Sequence, residues 1–406
     1  MIKAVLALIV ALGVATFAMA QGFSGLARVD VENSTIAGSR HSVEIDLALS
    51  QGIPYRVFTL SDPARLVIDF RKVDWSGVHP LNLLNTKNVS DVRVGGYLPG
   101  SSRLVADLNG PFILEVADMR LNEETGAAHL QIRLERGSQE DFTVTSGVPT
   151  STIWDFHPEG EIATDEPIRS EHTPMVIVLD PGHGGIDPGA EVGDIVEKDL
   201  ILSFARQLKE TLLRSGEFEV VLTRNDDSFV SLERRVAIAH RIGADVFLSL
   251  HADSLGEGGA RGATIYTLSE SASDAASAAL AERHDREDML AGVDLTGTDD
   301  VVADILMDLA RMETQPRADL LARALVLGIR EMKLPLNSRP LRGASFSVLK
   351  SPDIPSILLE LGFLSNDRDL GNLNDPEWRN RMAVAISDAL KAWIIADATA
   401  KELVRQ

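Results

Sequence analysis

The spacing of hydrophobic and polar positions changes once along the chain and divides it into two parts. Between residues 28 and 136, apolar residues recur at every second position. One such run is Val43, Ile45, Leu47 and Leu49. This alternation is typical of half-buried strands. Turn signals such as Ser61-Asp62-Pro63 and Gly95-Gly96 interrupt it at intervals that fit a small all-β sandwich. We predict that domain over residues 21–137, and we leave open whether it binds a ligand or serves as a spacer.

Residues 138–173 lose this periodicity and collect Ser, Thr, Pro and acidic side chains. Such a segment buries too little apolar area to offset the cost of ordering the chain, and its prolines keep it extended. We therefore predict a linker between two domains.

From residue 174 to about 400, short apolar runs alternate with helical stripes, which predicts an α/β domain with a mostly parallel or mixed sheet covered by helices. The predicted strands are Met175–Leu179, Glu219–Thr223, Val246–Leu250, Gly262–Leu268, Ser345–Leu349 and Ser356–Leu359. The predicted helices are Glu197–Leu213, Leu232–Ile242 and Trp378–Ile394.

Helical material rich in Ala, Leu and charged residues interrupts this alternation between residues 269 and 338. The segments Ser271–Gly292, Asp299–Met312 and Pro316–Lys333 each predict a helix, the last with its proline at the first helical position. A structureless loop of this length is uncommon inside a domain, so we predict a helical insertion.

The N-terminal sequence predicts the cellular compartment, and the net charge argues against one class of partner. Residues 1–20 carry Lys3, an apolar run and the small-residue ending Ala18-Met19-Ala20, which predicts a signal peptide cleaved after Ala20 and export to the periplasm. A membrane anchor is the alternative, but we expect no stable membrane span after cleavage. The chain has no cysteine, so its stability must come from core burial, to which a bound metal can add. The net charge of −21 argues against a nucleic-acid partner.

Four residues suited to metal binding or proton transfer lie at the ends of predicted elements. His183 follows the first strand in a glycine-rich turn, His251 and Glu360 each follow an apolar strand, and Glu197 begins a helix. If the strands are parallel, these groups meet at one edge of the sheet. Two imidazoles and one carboxylate are a recurrent ligand set for catalytic zinc, and a second carboxylate can act as general base. The residues alone leave open which glutamate has which role.

Five ordered segments resemble those of the zinc-dependent N-acetylmuramoyl-L-alanine amidases that split septal peptidoglycan (Amidase_3 family, AmiC/AmiB-like). These segments are Leu179–Gly185, Glu197–Asp199, Leu222–Arg224, Ser249–Asp253 and Glu360–Asn366. The resemblance covers about residues 174–396, and residues 28–136 resemble the family's N-terminal, wall-binding AMIN-type domain.

The resemblance implies site roles and a reaction. His183, Glu197 and His251 would bind one zinc ion per chain, and Glu360 would be the catalytic carboxylate. The bond hydrolysed would be the amide between N-acetylmuramic acid and L-alanine of the peptidoglycan stem peptide, in cell-wall remodelling and daughter-cell separation. Two alternatives remain open: a zinc endopeptidase acting on the stem peptide, and a non-catalytic peptidoglycan-binding scaffold.

The resemblance also gives the insertion a role, because division amidases of this type carry a helical segment that blocks the zinc cleft. A protein activator, EnvC-like or NlpD-like, would displace it. The candidate blocking residues are Glu282, His284, Asp285 and Glu287. A plain surface helical hairpin is the alternative. We expect the protein to be a monomer.

Overall fold

A computed structural model describes residues 26–71, 73–97, 101–122, 125–149, 174–255, 260–286, 291, 301–351 and 353–404. The predicted signal peptide over residues 1–20 lies outside this part of the chain. Among the described helices, none is long and apolar enough to cross a membrane.

The N-terminal part folds into two antiparallel sheets, apart from one short parallel edge pair. Its strands are β1 (Ala27–Ala37), β2 (Ser42–Leu49), β3 (Tyr55–Ser61), β4 (Ala64–Arg71), β5 (Val73–Asp74), β6 (Val89–Gly96), β7 (Ser101–Leu108), β8 (Phe112–Leu121) and β9 (Ala128–Arg136). One sheet has the order β5-β1-β2-β9-β8 and the other β3-β4-β7-β6. The inward residues of both, such as Leu47, Ile68 and Leu130, share one buried core. The prediction of an all-β N-terminal region is confirmed.

A short helix follows this sandwich where we predicted the start of the linker. Residues Gln139–Thr145 form α1, and the side chain of Ser138 caps it by accepting a hydrogen bond from the backbone N–H of Asp141. Phe142 is fully buried in the sandwich core. A serine cap and a single aromatic anchor order this stretch despite its polar composition, so the prediction was wrong here. Residues 150–173 of the predicted linker lie outside the described residues.

The C-terminal part is an α/β domain. Its strands are β10 (Met175–Pro181), β11 (Glu191–Val192), β12 (Ile195–Val196), β13 (Phe218–Leu222), β14 (Val246–His251), β15 (Ala263–Leu268), β16 (Leu336–Ala344) and β17 (Ser356–Glu360). Its helices are α2 (Glu197–Ser215), α3 (Leu232–Arg241), α4 (Ala275–Asp285), α5 (Val301–Glu331), α6 (Asp367–Asn374) and α7 (Pro376–Val404).

The main sheet of this domain is mixed, with the order β13-β10-β14-β17-β15-β16. Strands β13, β10, β14 and β17 run parallel to one another, and β15 is antiparallel to β17. Alternate residues of β10 pack on opposite faces. Ile177 and Leu179 contact the core formed with α2, α5 and α7, whereas Val178 contacts the core formed with α3 and α4. Helices therefore cover both faces, and the α/β prediction is confirmed.

Two predictions in the insertion region were wrong. Residues Ser345–Leu349 are not a strand: the strand is Leu336–Ala344, and Ser347–Leu349 form a 3₁₀ turn. The true strand lies at the sheet edge, where arginines and a proline are tolerated, and so it lacks the apolar run that we sought.

Pro316 does not begin a helix, because α5 runs continuously from Val301 to Glu331 with the proline inside it. The buried residues Leu321, Leu325 and Ile329 anchor this helix in the core. Their burial offsets the free-energy cost of the backbone hydrogen bond that the proline cannot donate. The second half of the insertion is therefore part of the domain core and not an added segment. The predicted helix Ser271–Gly292 is shorter, Ala275–Asp285, and Asp274 caps it.

The two domains touch through backbone at a glycine contact. The N–H of Ile186 donates to the carbonyl of Gly96 at 3.0 Å. A Cβ atom placed on Gly95 would lie 2.6 Å from the carbonyl carbon of Gly185. Neither Gly95 nor Gly185 has room for a side chain. The N-terminal domain therefore rests directly against the loop that follows β10.

Candidate active site

The register of the parallel strands brings the predicted site residues to one edge of the sheet. His251 and Glu360 are the last residues of β14 and β17 and lie side by side in the register. His183 lies two residues beyond β10, in a turn where it has a φ of 58°, and Glu197 is the first residue of α2. All four side chains are buried.

Three of these residues place their ligand atoms at the corners of a nearly equilateral triangle. Nε2 of His183 lies 3.2 Å from Oε1 of Glu197, and Nδ1 of His251 lies 3.3 Å from each of those two atoms. In a tetrahedral site with bonds of about 2.0–2.1 Å, as zinc forms, ligand atoms are about 3.3–3.4 Å apart. The nitrogen and oxygen donors present therefore fit zinc.

The electrostatics favour the protonation states that bind a metal. Burial alone would raise the pKa of Glu197, but attraction and hydrogen bonds from His183 and His251 hold it well below its ordinary range. Burial, followed by repulsion from His284, lowers the pKa of His251 to about 4. A carboxylate and a neutral imidazole are the forms that coordinate metal ions.

Backbone and carboxylate contacts fix the orientation of these ligands. Glu197 accepts hydrogen bonds from the N–H groups of Ala252, at 2.8 Å, and Ala190, at 2.9 Å. Nδ1 of His183 lies 2.7 Å from a carboxylate oxygen of Asp187, which leaves Nε2 directed at the triangle. A carboxylate behind a ligating imidazole is a common outer-shell feature of metal sites. Sequence reasoning missed Asp187, although its position four residues after a histidine in a glycine turn was a usable signal.

Two buried arginines hold the turn that carries His183. Arg224 donates to the carbonyls of Pro181 and Gly182, and Arg235 donates to the carbonyl of His183 and to the carboxylate of Asp180. These bonds stabilise a backbone conformation that a non-glycine residue rarely adopts. Arg224 lies in one of the segments that resemble the family, but sequence reasoning assigned it no role. Arg235 was missed because it lies in a helix among other charged residues and no motif distinguishes it.

Glu360 stands beside the triangle with one oxygen available. Its Oε2 accepts from the N–H of Asp253 at 3.0 Å, and its buried Oε1 has no hydrogen-bond partner among the described residues. Burial, followed by repulsion from Asp253 and Glu197, raises the pKa of Glu360 to about 8. Such a group can accept and release a proton near neutral pH.

The insertion places one of its four candidate blocking residues against this cluster. Nε2 of His284 lies 3.9 Å from Oε1 of Glu360, and its ring centroid is 4.2 Å from that of His251. Glu282 instead pairs with Arg286 at the surface.

Of the other two candidates, the structure describes only Asp285, which contacts a neighbouring backbone group. Asp285 accepts a hydrogen bond from the N–H of Ser347, and Glu287 lies outside the described residues. The neighbouring Arg283 donates to the buried carboxylate of Asp253 at 2.5 Å and so fixes the end of α4 over the site.

A mixed α/β sheet carries buried histidine and glutamate side chains at the carboxyl ends of its parallel strands, in an arrangement that could hold a metal ion. The comparison with known proteins gives the family. Residues 177–392 match the Amidase_3 model, described as N-acetylmuramoyl-L-alanine amidase, and residues 29–133 match the AMIN domain. The chain belongs to the N-acetylmuramoyl-L-alanine amidase family.

Two curated relatives agree with this assignment. The N-acetylmuramoyl-L-alanine amidase AmiC of Neisseria meningitidis is 31% identical over 368 residues, which cover 86% of each chain. AmiA of Escherichia coli is 38% identical over 218 residues, which cover 53% of this chain and 74% of the relative. The solved structure of AmiC2 from Nostoc punctiforme is 26% identical, with a TM-score of 0.39, and the match covers 54% of this chain and 97% of that one.

Proposed function

We propose that this protein is a zinc-dependent amidase that hydrolyses the bond between N-acetylmuramic acid and L-alanine of the peptidoglycan stem peptide. The observation that carries the proposal is the triangle formed by His183, Glu197 and His251, whose 3.2–3.3 Å edges suit a single zinc ion. The family assignment supplies the bond that is cleaved.

In this mechanism Glu360 is the general base. When bound, zinc would lower the pKa of a water molecule toward about 7 and polarise the substrate carbonyl. Oε1 of Glu360 accepts a proton from the attacking water and then delivers it to the amide nitrogen, which leaves as the amine of L-alanine. Asp187 holds the imidazole of His183, and the N–H of Asp253 keeps the base in place.

The test of this mechanism is Glu360→Gln. The amide side chain has nearly the same shape but cannot accept a proton, so the variant should keep stoichiometric zinc and lose release of stem peptide from labelled sacculi. Retained hydrolysis would contradict the base assignment. Mass analysis of the released products separates the amidase from a stem-peptide endopeptidase, and a folded, zinc-bound protein that stays inert even after α4 is removed would favour a scaffold.

We also propose that α4 keeps the enzyme inactive until an activator displaces it. His284 stands 3.9 Å from the free oxygen of Glu360, so the described position of the helix leaves no room for a substrate amide there. The bond from Arg283 to Asp253 stabilises that position. The partner would be a protein activator of the EnvC-like or NlpD-like kind. It would bind α4 and withdraw the side chains of His284 and Arg283 from the site.

Deletion of the first half of the insertion tests autoinhibition in a variant that still folds without the buried Leu280 of α4. Because Leu321 and Leu325 of α5 are fully buried, removal of the whole span from 271 to 333 would unfold the domain. Replacement of residues 275–300 with a Gly/Ser linker should raise basal activity, as should His284→Ala. A folded deletion variant with wild-type basal activity would refute autoinhibition.

We propose further that the domain over residues 21–137 binds the cell wall and that residues 1–20 direct export to the periplasm, where the enzyme acts in wall remodelling and daughter-cell separation. The match to the AMIN domain supports the first point. Pelleting of the isolated, folded enzyme with purified sacculi measures wall binding, and wild-type pelleting by a chain lacking the N-terminal domain would contradict it.

A further inference from the structure

An apolar contact joins the N-terminal sandwich to the catalytic domain beside the active site. Ile186 and Phe229 of the catalytic domain are 2% and 3% exposed because they pack against a sandwich face. That face comprises Phe58, Leu60, Val67 and Val105. Ile186 lies three residues after the predicted zinc ligand His183, so the sandwich packs directly on the catalytic loop.

The insertion takes part in the same contact. Ala291, which follows α4, is 1% exposed and belongs to this apolar cluster. It lies seven residues beyond His284 along the chain. Any movement that withdraws His284 from the site must therefore move a segment whose other end is buried against the N-terminal domain.

One arginine of the sandwich binds this segment directly. Arg103 on β7 is 2% exposed, and its guanidinium donates to both oxygens of Asp69 at 2.5 and 3.0 Å. The remaining nitrogen, Nη1, donates to the backbone carbonyl of Ala291 at 3.0 Å. The guanidinium also lies 3.4 Å from the ring centre of Tyr97, which stacks in turn on Phe229.

The geometry favours a specific bond over a chance contact. Asp69 also accepts a hydrogen bond from Arg56, so two guanidinium groups contact one carboxylate. The carbonyl of Ala291 accepts from a charged donor in a buried, apolar setting, where such bonds are stronger than in water. Arg103 is held by its own domain on two sides and has a fixed direction toward the insertion.

We propose that the N-terminal domain acts as the second half of the autoinhibitory device: Arg103 latches the insertion at Ala291 and so keeps α4 over the active site. This inference rests on the autoinhibition proposed above. The insertion is then held at two points, on the catalytic domain through Arg283 and on the sandwich through Ala291. An activator must break both, and whatever disturbs the sandwich face lowers the barrier to activation.

The experiment compares two variants that break the latch from opposite sides. Arg103→Met keeps the approximate length of the side chain but removes the bond to Ala291 together with the ion pair to Asp69. Ala291→Arg places a second cation beside Arg103 and leaves the sandwich sequence intact, so it guards against a folding defect in the first variant. Each should raise the basal activity of the full chain on a soluble muropeptide about tenfold, the factor that corresponds to loss of one hydrogen bond from a charged donor.

The matched control is Arg136→Met on β9. Its guanidinium also stacks on an aromatic ring, that of Phe112 at 4.3 Å, and donates to a backbone carbonyl, that of Arg40. These partners belong to the sandwich, so basal activity should stay at the wild-type level. Hydrogen–deuterium exchange gives a second readout that does not depend on zinc: exchange in α4 should accelerate in both latch variants and stay unchanged in the control.

The background without residues 275–300 separates this inference from autoinhibition itself. In that background Arg103→Met should have no further effect. If the deletion raises activity but neither latch variant does, the latch is wrong and autoinhibition stands. If the deletion leaves basal activity unchanged, autoinhibition fails, and the latch fails with it. A tenfold rise in both latch variants with faster exchange in α4 supports the proposal.

Discussion

The buried carboxyl of Glu360 should make the metal-free protein less stable as the pH rises. Its pKa is raised from an ordinary 4.5 to about 8 because burial and the neighbouring carboxylates oppose its charge. The folded state therefore holds the proton more tightly than the unfolded chain does. This stabilising contribution is fully present below about pH 4.5 and is lost as the pH rises through the interval to about 8.

The size of the effect follows from the two pKa values. One pH unit of difference corresponds to about 1.4 kcal/mol, so the interval from 4.5 to about 8 corresponds to on the order of 5 kcal/mol. Since 1 kcal/mol moves the midpoint of a domain of this size by about 2–4 °C, the predicted loss is on the order of 10 °C. Glu360→Gln stays neutral and should not show it.

Calorimetry of chelator-treated protein between pH 5 and 8 measures this difference. The melting temperature of the wild type should fall relative to that of Glu360→Gln as the pH rises, and addition of zinc should reduce the gap because a cation compensates the carboxylate. Parallel curves for the two metal-free proteins would refute the reasoning, since they would mean that Glu360 is ionised in the folded state at low pH without penalty.

Three further outcomes are expected. Asp187→Asn should weaken zinc binding about 10- to 100-fold in competition with a chromophoric chelator, because it loosens the imidazole of His183, whereas Asp226→Asn should not. Phe142→Ala should destabilise the N-terminal domain by about 3–5 kcal/mol in urea unfolding, whereas Val144→Ala, at a site that is 79% exposed, should change little. Removal of zinc with a chelator should abolish stem-peptide release, and zinc should restore it; activity that survives chelation would contradict a metal mechanism.

Local patterns were enough to predict most of the framework of the site. The apolar runs before His251 and Glu360 are long enough to identify buried strands, and parallel strands bring their ends together. Residues whose role depends on contacts with distant parts of the chain have no comparable pattern in the sequence. Arg235 looks like any arginine of an amphipathic helix, yet it holds the turn of His183.

Other features escaped prediction because tertiary contacts override local propensity. Pro316 is a helix-starting signal by itself, but the burial of the residues after it keeps α5 continuous. The bond between Arg103 and Ala291 joins positions 188 residues apart, and no periodicity connects them. Distances of that kind appear only after the two domains are placed together.

The glycine contact between the domains limits how freely they can be exchanged. Here a Cβ at Gly95 would lie within 2.6 Å of backbone in the catalytic loop, and one at Gly185 would lie 2.0 Å from the carbonyl oxygen of Gly96. A chimera that received a foreign N-terminal domain would need the same bare backbone at the same place. The sandwich and the catalytic domain should therefore be inherited, and engineered, as a matched pair.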